Sequence, residues 1–202
     1  MARACKPCCV AAELPHLIVA DTAGWRLWLR ANHARSQGVW LRLAKKGTTD
    51  PTRLLYGEAL EEALCQGWID GQLRRFDERT YSQRFTPRRP RSAWSQNNVA
   101  NVERLIVEGR MRAAGLAAIE RAHADGRLRD AYPGQASIEV PGDLTAALAA
   151  EPAAGAAFAT LTAQNRYAVL LRISQARRPD TRARRIERFV AMLARGETPY
   201  PQ

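Results

Sequence analysis

Apolar positions recur at helical spacing after Asp21, where Trp25, Trp28 and Leu29 follow an acidic residue placed to cap a first turn. The spacing predicts an amphipathic helix over residues 21–32, packed by two indoles. Residues 39–43 read as a short strand and 45–51 as a loop. From residue 55 to 66, Leu60, Ala63 and Leu64 alternate with Glu58, Glu61 and Glu62 as in a second amphipathic helix, its glutamates forming a solvated face and Gly67 stopping it. Residues 68–74 and 80–86 are extended segments joined by about five residues, which predicts an antiparallel hairpin. Pro87 and Pro90 end it and make residues 88–91 an extended basic connector.

Farther along, Ser95 or Asn97 can cap a helix whose apolar face is Val99, Val102, Leu105 and Ile106, with Gly109 closing it. Another helix is expected over 113–124. Residues 126–142 are rich in Gly, Pro, Ser and Gln without helical period and read as a linker. Four helical stretches follow, at 144–150, through Phe158, at 165–175 and at 181–193. The expected architecture is α+β: a small antiparallel sheet packed with helices, then a helical C-terminal unit. The corresponding division is a disordered tail over 1–12, a core domain over 13–125, a linker over 126–142 and a helical domain over 143–202. All five tryptophans precede residue 95, so the two parts also differ in composition.

Charge changes the picture more than size does. The 202 residues carry 31 basic and 20 acidic side chains, a net +11, and only Lys6, Lys45 and Lys46 among the 31 are lysine. Such a surface attracts nucleic acid, anionic lipid or acidic molecules. No apolar run approaches the roughly 20 residues of a membrane span, and residues 10–20 are broken by Glu13, Pro15 and His16, so a cytoplasmic protein is expected. Cys5, Cys8 and Cys9 crowd the N-terminus while Cys65 stands alone, which is no disulfide framework. The tail offers too few ligands for zinc, and no metal or other cofactor is expected. Cys65, at a helix C-terminus, reads as a packing residue. His16, His33 and His123 are scattered, and no P-loop or dinucleotide glycine pattern is present.

Residues 63–71, then 84–95, then Glu108, Gly109, Arg110 and Met111 with Gly115, resemble the YdeI/OmpD-associated (bacteriocin-protection) family. Asn165, Arg166 and Tyr167 and residues 178–186 are similar to its helical C-terminal domain. The resemblance spans about residues 13–195, and Gln66 departs from it, standing where an apolar residue is expected. It implies a bacterial cytosolic protein linked to protection against bacteriocins or envelope stress, and it supplies no catalytic residues.

Two constellations stand out from the residues themselves. Trp68 and Asp70 share one face of a strand, and a hairpin can bring Arg84 to them, with Arg88, Trp94, Ser95 and Asn98 following. Arginine forks beside indoles suit a planar or anionic ligand. The same residues also fit a core in which the tryptophans are packed. In either case Asp70 should be hydrogen-bonded by Arg84 or Arg88. The second set is Arg178, Arg182, Arg184, Arg185 and Arg188, in which Arg178, Arg182 and Arg185 share one helix face and Arg184 and Arg188 another. The reading that follows is a non-enzymatic stress or protection factor whose basic surface binds an anionic ligand or acidic protein. Its rivals are a small-ligand binder or enzyme using the Trp/Asp/Arg residues, and a weak, nonspecific nucleic-acid binder.

Overall fold

The computed structural model describes residues 13–201. The chain divides into two compact units: one takes the described residues up to Ser92 together with Asn101–Asp125, the other Ala93–Ala100 together with the described residues from Gly126. The fold is α+β.

The first unit is built on a four-stranded sheet of order β1-β2-β4-β3, formed by β1 (His16–Leu17), β2 (Val39–Ala44), β3 (Trp68–Arg75) and β4 (Thr80–Pro87). Pairing is antiparallel except at the edge, where β1 runs parallel to β2. Two residues are too few to show an alternation, so β1 carries no period in the sequence. The register sets Val39 opposite Phe85 and Trp40 opposite Arg84, which fixes two chemically different faces. On the Phe85 face, Trp25 of α1 (Thr22–Asn32) lies 5.6 Å from the Phe85 ring and edge-on to Trp68 at 6.4 Å. The buried Trp25 Nε1 donates to Ala59 O (3.0 Å) of α2 (Tyr56–Cys65), tying both helices to one aromatic core. Asp21 caps α1 by accepting from the Gly24 N–H at 3.1 Å.

On the opposite face, Arg42 is only 7% exposed; its guanidinium donates to Thr80 Oγ1 (3.2 Å) and lies 3.1 Å from the centre of the Phe76 ring. Asp77 holds the β3–β4 turn by accepting from the Arg79 N–H (2.8 Å) and the Thr80 N–H and hydroxyl. Gly67, at φ +71°, turns the chain from α2 into β3, and a side chain there would meet Ala114 O at 2.8 Å. Helix α4 (Ala113–Ala124) packs that closely because its third residue is Gly115.

Helix α3 (Gln96–Val107) begins in the second unit, with Ser95 Oγ accepting from the Asn98 N–H at 3.2 Å. The rest of that unit is helical: α5 (Gly142–Ala150), α6 (Pro152–Ala159), α7 (Ala163–Ser174) and α8 (Pro179–Ala194). Leu144, Phe158, Val169, Ile173, Phe189 and Leu193 are among its core residues. Asn165 fastens the chain end, donating to Tyr200 O (3.0 Å) and accepting from the Tyr200 N–H (2.9 Å). Cys5, Cys8 and Cys9 lie outside the described residues.

Candidate functional sites

The Trp/Asp/Arg constellation is divided by the fold. Trp68, Asp70, Arg84 and Arg88 belong to the first unit and Trp94, Ser95 and Asn98 to the second. Trp68 is 1% exposed, donates through Nε1 to His33 O (3.1 Å) and meets Trp28 edge-on at 5.8 Å, so it is a core residue. Asp70 accepts from the Tyr56 hydroxyl at 2.9 Å. The expected arginine partner is not there, and the register explains why. Asp70 pairs with Phe85 and shares its face, whereas Arg84 is one residue away and points to the other, where its methylenes lie against Gly71. A register shift between Asp70 and Leu73 then moves the rest of β3, and Arg74 stacks over Trp40 at 4.0 Å. Arg88 is buried, and its N–H donates to Gly67 O. In the second unit, Trp94 and Asn98 are buried, and Trp94 O accepts from the Tyr132 N–H at 2.9 Å, so these residues brace the start of α3.

The sequence pattern missed a denser polar site. Glu62, read above as part of a solvated face, is 5% exposed. Its carboxylate takes both prongs of Arg26 (2.9 and 2.7 Å) and Arg110 Nη2 (2.9 Å). Arg110 also bonds Glu61 (2.7 Å) and Glu108 (3.2 Å), and Arg104 joins Glu61 to Glu108. Burial raises the Glu62 pKa, but the hydrogen bonds from Arg26 and Arg110 outweigh it and hold the carboxyl below its usual range. Cys65, on the same helix, has its thiol pushed up to about 11 by burial and by Glu62. Arg26 and Arg110 come from elsewhere in the chain, so only the Glu-Glu pair was available as a local signal.

Four of the five arginines of the predicted basic surface lie on α8, and Arg178 is its N-cap. Arg182 is committed to Asp143, with bonds of 2.5 and 2.9 Å, and also donates to Ile173 O (3.2 Å). Arg185 reaches the Arg172 carbonyl, and Arg184 reaches Asp180 O at 3.2 Å. Among the described residues, Arg178, Arg184, Arg185 and Arg188 make no ion pair, and they outnumber the neighbouring carboxylates Asp180 and Glu187. An apolar groove of about 840 Å³ runs between α5 and α8, walled by Ala147, Ile186, Val190 and Ala194, with Asp143 and Arg182 among its polar borders.

Residues 17–118 match a family model described as a domain of unknown function (DUF8412), and residues 137–196 match the OmdA model, described as Bacteriocin-protection, YdeI or OmpD-Associated. The resemblance read from the motifs is thus shared between two models, with the YdeI/OmpD-associated match in the C-terminal helices. No curated protein and no solved structure matches the chain. No helix among the described residues is long and apolar enough to cross a membrane.

Proposed function

We propose that this chain, which belongs to the DUF8412 family and carries a YdeI/OmpD-associated match in its C-terminal helices, is a non-enzymatic cytoplasmic protection factor that binds an anionic partner through α8. The observation that carries this reading is the state of the arginines on that helix. Arg182 is neutralised by Asp143, while Arg178, Arg184 and Arg188 keep exposed charge that no described carboxylate pairs with. Such charge steers anionic partners and sets association rates. Support for a non-enzymatic role comes from the first unit, where Glu62 is saturated by two arginines and the Cys65 thiol is buried and poorly ionised.

The test is capture from a bacterial lysate by the full chain and by an Arg178→Glu/Arg184→Glu/Arg188→Glu variant. Arg182 is left intact because its loss would unpin α5 from α8. Acidic partners retained by the parent and absent from the variant are expected. Identical partner sets would remove the basis for the reading.

A further inference from the structure

A cavity of about 290 Å³ in the first unit is bordered by Arg30, His33, Gln66, Arg112, Ala113 and Ala114. It lies where the C-terminal ends of α1 and α2 meet the first turn of α4. Three of the carbonyls at these helix ends are taken. Leu29 O accepts from the His33 N–H (2.8 Å), His33 O from Trp68 Nε1 (3.1 Å), and Cys65 O from the Arg112 N–H (3.1 Å). The guanidinium and amide donors around the cavity, by contrast, are unspent.

Gln66 is the most telling of them. It is 8% exposed, yet its side-chain amide bonds no described residue. Its amide atoms are not sealed from solvent, so they stay available to a ligand in the cavity that Gln66 borders. Arg30 and Arg112 are exposed and make no ion pair with any described carboxylate. Helix α4 is 12 residues long and no side chain caps it, so the first-turn amides of Ala113 and Ala114 keep the positive end of its dipole open. The frame is rigid: a side chain on Gly67 would meet Ala114 O at 2.8 Å, and one on Gly115 would meet Leu64 O at 2.8 Å.

We propose that this cavity binds a compact oxyanion, a phosphate group held by the Arg30 and Arg112 guanidiniums, the Gln66 amide and the open first turn of α4. A helix N-terminus with flanking arginines supplies both the charge and the several directed donors that phosphate oxygens accept. The cavity suits an anionic head group better than a cofactor-sized molecule. The phosphate is either free or the end of a phosphomonoester. The site lies in the other unit from the α8 arginines and does not depend on them.

Titration of the full chain with inorganic phosphate, followed by amide chemical shifts at ionic strength matched with sodium chloride, tests the proposal. Saturable shifts centred on residues 113–115 are expected. Arg112→Gln and Arg30→Gln should each weaken the affinity roughly tenfold. Arg121→Gln, which removes the same charge near the far end of α4, should leave it unchanged. Gln66→Met tests the amide, and because both arginine variants are at exposed positions the result does not hang on that core substitution folding. A parallel titration with glycerol 3-phosphate separates the sources: tighter binding than phosphate assigns an esterified ligand, and equal or weaker binding assigns the free ion. Shifts that do not saturate, or equal weakening in the Arg112, Arg30 and Arg121 variants, would overturn the site.

Discussion

Glu62→Gln keeps the shape of a buried side chain while removing the charge that Arg26 and Arg110 share. It should lower stability by about 2 to 3 kcal/mol, less than a fully buried pair because both guanidiniums reach solvent. Thermal unfolding should then shift down by roughly 5 to 12 °C. The same carboxyl sets a pH dependence. Its pKa is depressed in the fold, so its stabilisation is complete above the ordinary carboxylate range and is lost as the pH falls through the lower folded value. Acid unfolding curves of the parent and of Glu62→Gln should therefore converge at low pH, and a constant gap down to the acid limit would contradict the assignment. Asp70→Asn is the contrasting case. With a single bond to an exposed tyrosine hydroxyl, it should change stability by no more than about 0.5 kcal/mol, and a large loss would restore the arginine pairing expected from the sequence.

Elements made of local signals were legible. Asp21 before Trp25 and Leu29 defined α1 because cap and stripe lie within three turns, and the two extended runs around Asp77 defined the hairpin. What could not be read were relations between elements. The glutamates of α2 look equivalent along the chain, and Glu62 differs only because arginines 36 and 48 residues away converge on it. The Trp68/Asp70 pair was placed correctly on one face, but the partner strand's register, which no local pattern specifies, put Arg84 on the other. The contact between α2 and α4 is likewise non-local. Gly115→Ala would drive a methyl group into the Cys65 and Leu64 carbonyls, neither of which is a flexible side-chain end. A loss of about 1 to 3 kcal/mol is expected in denaturant titration, and an unchanged midpoint would show that the helices separate easily.

For the molecule as a whole, a net charge of +11 makes polyanion binding unavoidable at low salt, so the informative quantity is its slope. If the four unpaired arginines Arg178, Arg184, Arg185 and Arg188 each meet a phosphate, affinity for duplex DNA should fall by roughly two orders of magnitude between about 50 and 200 mM salt. Phosphate contacts carry no sequence information, so scrambled duplexes should bind equally. A sequence-selective complex that survives physiological salt would show that the helical unit reads bases.

Cys65 gives the first unit an internal clock. A thiol sealed in the core and ionising only near pH 11 reacts with an alkylating reagent at neutral pH only when the surrounding structure opens. In a chain whose Cys5, Cys8 and Cys9 are replaced by serine, the rate of labelling at Cys65 becomes a direct count of how often α2 comes away from its neighbours. With excess reagent, where alkylation outpaces reclosing, that rate is the opening rate itself, obtained without denaturant at one named atom.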